Sequence, residues 1–326
     1  MEQEIGHSVA RTNPHACRWV IGTSMVCEKA DGGPKSVPAD AVAEWQDGGR
    51  TLYLRKRQAD ESLEGDFAAD RIHVGGTSAA VWCLGEDTFC KAHAWIEGLE
   101  LEANNLRFVT EKLPDVAIPE VLYTWIDRDI NRTFLLTKRV EGQVLDDVWP
   151  RLSTLQRREI ADYIARVCVT LADNTSSRLE TITGCGIYEP YLLESAPKSH
   201  PTWKPRLLGP FDSPEALRAC MAKASSQPPP AIDPTFYFYH ADLGPTNVMV
   251  SENGRVTGII DWESAAFYPR FFLATKPSIS GGFNLGRRGD KNRGLWADLL
   301  TKAIEAHGGY EPMLEKFRCW SDGKLE

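Results

Sequence analysis

The sequence contains no run of about 18 apolar residues, so it predicts no membrane-spanning helix. Its eight cysteines include no Cys-x-x-Cys pair and no cysteine–histidine group with the spacing of zinc ligands. We therefore expect no structural zinc site and a reducing, cytoplasmic environment. The first residues are acidic and no apolar segment follows them, so the sequence predicts no signal peptide.

Basic residues are outnumbered by acidic ones, because 37 Lys and Arg stand against 45 Asp and Glu and give a net charge of −8. Nucleic-acid binding depends mainly on neutralising phosphates, so we expect no nucleic-acid partner. The length of 326 residues, with 42% hydrophobic and 25% charged residues, is typical of a globular chain with two lobes. A monomer is the default expectation.

The chain divides into three regions by its pattern of apolar residues and turn signals. Residues 1–70 are uneven, with a short strand at 19–21 and one short helix at 39–46, and are interpreted as an extension or a partial first lobe. Residues 71–140 predict an α+β lobe with an antiparallel sheet. Its strands are expected at 71–74, 79–84, 88–92, 121–126 and 133–139, and its helix at 95–113. Residues 141–326 are mostly helical, including 152–172 and 295–317.

A β-hairpin is predicted around Asn253-Gly254, which lies between two apolar runs and is a strong turn signal. With these two residues at the centre of the turn, the numbers of paired residues sum to 507. Asn247 then lies opposite Ile260, next to Asp261, and Asp242 is on the loop that leads into the same end of the sheet. Three oxygen-bearing side chains are therefore expected to converge.

Convergence of this kind is what metal-assisted phosphoryl transfer requires. Mg²⁺ takes a few protein oxygens and completes its shell with water and phosphate. A separate carboxylate orients the attacking hydroxyl and accepts its proton. A single Asn or Asp on a loop is usually only a turn former. The set His240, Asp242, Asn247 and Asp261, with a hairpin between the last two, outweighs that simpler interpretation.

The motif His-x-Asp-x-x-x-x-Asn followed by Ile-Ile-Asp-Trp-Glu resembles the aminoglycoside phosphotransferase family, over roughly residues 71–320, and is similar to the branch of it common in filamentous fungi. The resemblance implies a bilobal, protein-kinase-like α+β fold, with a small antiparallel-sheet N-lobe and a larger, mainly helical C-lobe. It also implies ATP and Mg²⁺ as cofactors. Asp242 would be the catalytic base, His240 would hold the catalytic loop in shape, and Asn247 and Asp261 would bind Mg²⁺.

A kinase fold also requires a lysine on a strand that pairs with a glutamate on the next helix. Lys91 lies in the third predicted strand, and its alternative is a solvated strand end. Glu102 shares an apolar helix face with Leu106 and Val109, where an unpaired charge would be costly. Glu97 and Glu100 are competing partners for Lys91.

The remaining nucleotide contacts are expected in two backbone segments. Gly75, Gly76 and Ser78 form a small-residue turn that resembles the phosphate-covering loop of the family, although a plain hairpin turn remains open. The backbone of Lys138 and Val140 lies where the resemblance places the interlobe hinge that meets adenine. No Gly-x-x-x-x-Gly-Lys-Ser/Thr motif is present, which excludes a P-loop NTPase.

The sequence thus predicts a small-molecule kinase that moves the γ-phosphoryl group of ATP to a hydroxyl. The alternative is a kinase-fold protein that has lost transfer and binds a nucleotide, metabolite or protein partner. Two features stay unassigned. One is the basic run Arg287, Arg288, Lys291 and Arg293, and the other is the set of aromatic residues Tyr188, Tyr191 and Trp203 in the region of the family's acceptor pocket.

Overall fold

The structure is a computed structural model that describes residues 4–13, 17–32, 36–194, 196–286, 292–308 and 313–324. Contacts between Cα atoms divide the chain into two compact units. Unit 1 consists of residues 1–97, 120–139 and 200–205, and unit 2 of residues 98–119, 140–199 and 206–326. Among the helices in the described ranges, none combines the length and the apolar character that crossing a membrane requires.

Unit 1 contains two five-stranded antiparallel sheets. The first has the order β1-β2-β3-β5-β4 and is built from β1 (Val9–Asn13), β2 (Arg18–Ile21), β3 (Met25–Lys29), β4 (Ala41–Asp47) and β5 (Arg50–Lys56). The second has the order β6-β7-β8-β10-β9 and is built from β6 (Arg71–Gly75), β7 (Ala79–Cys83), β8 (Thr88–Ala94), β9 (Val121–Asp127) and β10 (Arg132–Lys138).

The predicted strand at 19–21 is confirmed, but the predicted helix at 39–46 is wrong. Residues 41–47 form β4, which pairs with β5 along its length. Trp45 is buried and donates its indole N–H to the hydroxyl of Thr88, 2.7 Å away. Along Ala-Val-Ala-Glu-Trp, every second side chain is turned towards the interior, and the last of them is the large Trp45 ring. Burial of these side chains stabilises a strand more than the helical preference of alanine stabilises a helix.

The two sheets of unit 1 share one hydrophobic core. Side chains from the first sheet, such as Trp19, Leu52 and Leu54, pack in the same cluster as Trp82 and Phe134 from the second. Two buried carboxylates add hydrogen bonds between the sheets. Asp47 accepts hydrogen bonds from the backbone N–H groups of Glu86 and Asp87 and from the Thr88 hydroxyl. Asp127 accepts hydrogen bonds from the backbone N–H and the hydroxyl of Thr23 and from the hydroxyl of Ser24.

An ion network ties the first sheet to the segment that follows it. Glu28 accepts hydrogen bonds from Arg18 at 2.7 Å and from Arg55 and Tyr53 at 2.9 Å. Both arginines also bind Glu61. Burial raises the pKa of Glu28, but these hydrogen bonds outweigh burial and leave it below its ordinary value. The Arg55 guanidinium lowers the pKa of Glu61 to about 2.

Unit 2 is mainly helical. Its helices are α1 (Glu102–Lys112), α2 (Leu145–Val148), α3 (Thr154–Ala172), α4 (Pro214–Ala224), α5 (Arg270–Ile279), α6 (Leu295–Gly308) and α7 (Leu314–Asp322). Two small antiparallel sheets accompany them. One pairs β11 (Gln143–Val144), β14 (Val248–Val250) and β15 (Val256–Ile259), and the other pairs β12 (Thr175–Ser176), β13 (Phe236–Tyr239) and β16 (Ala266–Pro269).

Two predicted helices differ from those observed. Helix α1 begins at Glu102, not at residue 95, because the chain turns at Gly98 with a φ of +84° and Glu100 binds the N–H of Leu101. The predicted helix at 295–317 is two helices, α6 and α7. Helix α3 agrees with its prediction and begins with a capping box formed by Ser153 and Gln156.

Candidate active site

The hairpin of β14 and β15 has the predicted register at the end that matters for the site. Val248 pairs with Ile259 and Met249 with Gly258, and both pairs sum to 507. Beyond them the N–H of Ile260 donates to the carbonyl of Asn247 at 3.0 Å. The tip is wider than predicted: Ser251 bonds to Arg255 across a three-residue loop, and a bulge near Val256 restores the register.

The loop before β14 is held by the buried imidazole of His240. Its Nδ1 accepts the backbone N–H of Asp242 at 3.2 Å, so the proton is on Nε2, which donates to the carbonyl of Ile260 at 3.1 Å. The residue between them, Ala241, has a φ of +63°, a left-handed conformation that is uncommon outside glycine. His240 therefore fixes a strained loop and links it to the hairpin's far strand.

Asp242 and Asn247 are in direct contact. The side-chain amide of Asn247 donates to the backbone carbonyl of Asp242 at 2.8 Å and to its Oδ2 at 3.1 Å. Burial, followed by the nearby carboxylate of Asp261, raises the pKa of Asp242 to about 6. A carboxylate with this pKa is a stronger proton acceptor than an ordinary aspartate and is still ionised near neutral pH.

Asp261 follows the hairpin in a second left-handed conformation, with a φ of +67°. The next residue, Trp262, is fully buried and packs edge-on against His240 at 4.4 Å between ring centroids. Its backbone N–H donates to Glu102 Oε1 at 3.0 Å, and its carbonyl accepts the amide of Asn105 at 2.8 Å. Trp262 therefore connects the first turns of α1 to the segment that carries Asp261.

A group of carboxylates lies at this point. One oxygen from each of Glu102, Asp261 and Glu263 falls within 4.8 Å of the others. Asn247 turns its amide nitrogen towards Asp242, and its oxygen is a neutral ligand of the same hard type. The side-chain oxygens of Asn247 and Asp261 are of the type that Mg²⁺ takes, and their binding of Mg²⁺ stays a prediction. Glu263 was not singled out by sequence reasoning, although its place two residues after Asp261 was the available signal.

The nucleotide-contact candidates of unit 1 lie on the second sheet. Lys91 is half-buried in the middle of β8, between Val81 and Leu135 in the ladder. Gly75, Gly76 and Ser78 form the turn between β6 and β7; Gly76 has a φ of +58°, and the Ser78 N–H bonds the carbonyl of Gly75 at 3.3 Å.

The two hinge candidates lie at and after the end of β10. The backbone N–H of Lys138 donates to the carbonyl of Glu120 at 2.9 Å, so this N–H is already engaged. The side chain of Val140 packs close to Gly258, where an added Cβ would lie 2.4 Å from Val140 Cγ1. Their contact with adenine stays a prediction.

The two competing partners of Lys91 have interactions elsewhere. Glu97 is exposed and lies 3.6 Å from Arg128. Glu100 is buried; it accepts bonds from Asn104 at 2.8 Å and from the N–H and hydroxyl of Thr183 at 3.1 and 2.5 Å. Glu100 is therefore a structural carboxylate of unit 2. The pairing of Lys91 with Glu102 stays a prediction.

A buried ion pair near Asp242 has no counterpart in the sequence analysis. Lys276 of α5 binds the fully buried Glu189, and its ammonium lies 4.6 Å from the ring centroid of Tyr191. Lys276 lowers the pKa of Asp242 while Glu189 raises it. No local pattern reveals this pair, because 87 residues separate its members along the chain.

The unassigned aromatic residues belong to different units of the chain. Tyr188 and Tyr191 belong to unit 2, and burial raises the pKa of Tyr188. Trp203 belongs to unit 1, where the guanidinium of Arg132 lies 5.9 Å from its ring. Of the basic run, Arg287, Arg288 and Lys291 lie outside the described residues, and Arg293 donates to the carbonyl of Leu285.

Residues 47–272 match the model of the phosphotransferase enzyme family. The match spans more than half of the chain, so the chain belongs to this family. Along the chain, α1 follows β8 and precedes β9 of the second antiparallel sheet, and a mainly helical segment comes next; this is the kinase-like α+β fold that the sequence predicted. No curated protein sequence matches the chain.

Several solved structures are similar to it. An aminoglycoside-3'-phosphotransferase of type VIII has 18% identity and a TM-score of 0.46, over 77% of this chain and 91% of that one. The aminoglycoside phosphotransferase APH(3'')-Id from Streptomyces rimosus has 20% identity and a TM-score of 0.44, over 78% and 91%. A thermostable mutant of APH(4)-Ia, in a ternary complex with ADP and hygromycin B, has 16% identity and a TM-score of 0.47, over 77% and 82%.

Proposed function

We propose that this protein transfers the γ-phosphoryl group of ATP to a hydroxyl of a small molecule, with Mg²⁺ as cofactor. The observation that carries the proposal is the contact between Asp242 and Asn247, made on a strained loop beside Asp261. In this arrangement Asp242, a carboxylate with a raised pKa, would accept the proton, and the side-chain oxygens beside it would bind the metal. Family membership supports the phosphotransferase class.

Asp242 is the catalytic base in this proposal. The amide of Asn247 holds one of its carboxylate oxygens, so the other is free to receive the hydroxyl of the acceptor. The acceptor oxygen forms a bond to the γ-phosphorus as the bond from that phosphorus to the leaving oxygen of ADP breaks, and the hydroxyl proton passes to Asp242. Because little covalent chemistry is required of the protein, positioning provides most of the rate enhancement.

Asn247 and Asp261 would hold Mg²⁺, which neutralises charge on the phosphates when it is bound. The carboxylate of Glu263 lies close enough to join the ligand set directly or through water. His240 has no proton-transfer role here, since both of its ring nitrogens bond to the backbone. It keeps the loop of Asp242 in its left-handed turn.

We further propose the nucleotide roles that the family implies. Lys91 would contact phosphate oxygens, with Glu102 as its partner, and the turn of Gly75, Gly76 and Ser78 would cover the phosphates. Lys138 would offer its carbonyl to adenine, because its N–H is occupied, and Val140 would offer its backbone. Residues 71–140 and 141–326 would act as the two lobes of the kinase fold, and the protein would work as a cytoplasmic monomer.

The test combines nucleotide binding with phosphoryl transfer. Binding is followed by thermal shift with ATP, with and without Mg²⁺, and transfer by release of ADP and labelled product. A ligand at about 100 times its dissociation constant stabilises the folded state by roughly 2.7 kcal/mol, which is readily measured. The wild type should show a shift that depends on Mg²⁺; its absence at millimolar ATP would refute the proposal.

Two variants separate the proposed roles. Asp242→Ala should abolish transfer and leave binding of Mg·ATP nearly intact, since the base is not a ligand of the nucleotide. Asp261→Ala should weaken ATP binding only when Mg²⁺ is present. Asp115→Ala, at an exposed carboxylate after α1, is the matched control and should behave as wild type. Equal loss of binding with and without metal in Asp261→Ala would contradict its role as a ligand.

A further inference from the structure

A short turn of two glycines lies beside the proposed base. Residues Gly281–Phe283 form one turn of 3₁₀ helix directly after α5. The N–H of Gly282 donates to the hydroxyl of Ser280 at 3.3 Å, and the N–H of Phe283 donates to the carbonyl of Ser280 at 3.2 Å. Phe283 is fully buried, whereas both glycines are exposed. The turn is therefore anchored at its ends and open to solvent at its centre.

Gly282 faces the oxygen of Asp242 that Asn247 leaves free. A Cβ atom added to Gly282 would lie 3.2 Å from Asp242 Oδ1, closer than an ordinary contact between carbon and oxygen. Asn247 bonds to the other oxygen, Oδ2. Oδ1 receives no hydrogen bond from Asn247, so an acceptor hydroxyl can donate to it, and the space next to Gly282 borders this oxygen.

Contacts with the catalytic loop and with Tyr191 hold the turn in place. A Cβ atom on Gly244, in the catalytic loop, would lie only 2.2 Å from the carbonyl oxygen of Gly282, so the two backbones are in contact. On the other side, the N–H of Gly281 bonds to the hydroxyl of Tyr191 at 3.4 Å. The ring of Tyr191 packs on Lys276, whose carbonyl accepts the N–H of Ser280.

We propose that Gly282 is a specificity-determining residue: because it has no side chain, it leaves room beside Asp242 Oδ1 for an acceptor whose reacting hydroxyl is carried on a branched carbon. The inference rests on the proposed function and names a residue that limits the size of the acceptor at the same site. In the reaction the hydroxyl proton goes to Asp242 Oδ1, the acceptor oxygen bonds to the γ-phosphorus, and ADP leaves. A methyl group at position 282 would crowd a branched carbon more than a small acceptor such as water.

Gly282→Ala is the variant to make, and Gly281→Ala is its matched control. Both glycines lie in the same turn and neither has a positive φ, so alanine fits the backbone at both positions. They differ in surroundings, because a Cβ on Gly281 would meet nothing within 4 Å. A Cβ on Gly282 would also lie 3.5 Å from Ser280 Oγ, which is an ordinary van der Waals distance, so an effect that Gly281→Ala lacks is attributed to the closer contact with Asp242.

The first measurement does not depend on catalysis. A water-soluble carbodiimide with glycine ethyl ester modifies carboxyl groups, and peptide mass spectrometry gives the rate at Asp242 relative to the exposed Asp115 of the same molecule. In Gly282→Ala, Asp242 should react at least roughly fivefold more slowly than in wild type, since the methyl group shields Oδ1. Gly281→Ala should react as wild type. Equal rates in all three proteins would overturn the proposal.

The second measurement is phosphoryl transfer from ATP to water, ethylene glycol and myo-inositol. Gly282→Ala should lower the ratio of transfer to myo-inositol over transfer to water by roughly tenfold or more, because misplacing an acceptor by a fraction of an ångström has effects of that size. An unchanged ratio would overturn the proposal. Should Gly282→Ala not fold, a wild type that uses ethylene glycol but rejects myo-inositol would also overturn it.

The two measurements separate this inference from the proposed function. A wild type without any ATP turnover, combined with slower modification of Asp242 in Gly282→Ala, would remove the proposed function and keep the steric role of Gly282. A wild type with Mg-dependent turnover, combined with no difference between the glycine variants, would keep the proposed function and remove the role of Gly282.

Discussion

Replacing Asp242 with Asn should make the protein more stable and inactive at the same time. Burial and the charge of Asp261 raise the pKa of Asp242 from 3.8 to about 6, so the folded structure disfavours the ionised carboxylate that the proposed reaction needs. Asparagine has the same shape and no charge. Its side-chain oxygen can still accept the amide of Asn247, so the loop keeps its hydrogen bond.

The expected change in the free energy of unfolding follows from the shift in the pKa of Asp242. A difference of roughly two pKa units between the folded and unfolded states corresponds to about 3 kcal/mol. The pKa is higher in the folded state, so the stability that the protonated form contributes is fully present below the unfolded pKa, near 4. That stability is lost as the pH rises through about 6. Roughly half of the change, about 1.5 kcal/mol, falls between pH 5 and pH 7.5.

The assay is urea unfolding of wild type and Asp242→Asn at pH 5 and pH 7.5, in EDTA so that no divalent metal binds. The variant should gain stability relative to wild type as the pH rises. Asp115→Asn, at an exposed carboxylate, should show no such gain. An Asp242→Asn protein that is less stable than wild type at pH 7.5, or whose advantage does not change with pH, would refute the reasoning.

Two further predictions concern stability. Arg55→Met should lower the free energy of unfolding of unit 1 by about 2 kcal/mol, because Glu28 and Glu61 both lose a partner. The loss should shrink as the pH falls from 4.5 towards 2, where both carboxylates become protonated and the stability from their lowered pKa values disappears; a loss that persists at low pH would contradict this. Lys276→Met should cost about 3–5 kcal/mol by leaving Glu189 buried without its cation, and Lys276→Met with Glu189→Gln should cost less than Lys276→Met alone. Urea unfolding measures both, and a double variant less stable than the single one would contradict the second prediction.

Local patterns were sufficient for the second sheet of unit 1 and for the hairpin that carries the site. Strands β6 to β10 are bounded by turn residues, and short strands with such boundaries are specified by neighbouring residues. The register at Asn247 was predicted because a side-chain period of two allows few alternatives once the turn is placed. The predicted turn is one residue too short, but the bulge near Val256 compensates for the longer loop, so the predicted pairing at Asn247 is still correct.

The first sheet could not be read from local pattern alone. Residues 41–47 have a helix-forming composition, and only pairing with β5 and burial of Trp45 against the second sheet make them a strand. The start of α1 was misplaced for a similar reason. Glu100, which accepts the N–H of Leu101 just before α1, is held in place by a hydrogen bond from Thr183. Thr183 is far away in the chain, so no local pattern indicates this interaction.

The sequence by itself determined which candidate site residues the hairpin and its loop contain, because His240, Asp242, Asn247 and Asp261 lie within one short, locally specified motif. Only the tertiary structure decided what surrounds them. Burial and neighbouring charges set the pKa of Asp242, and Gly282 lies against that carboxylate although 40 residues separate the two in the numbering. Packing between distant segments has no period or spacing in the sequence, so it becomes visible only when the chain is folded.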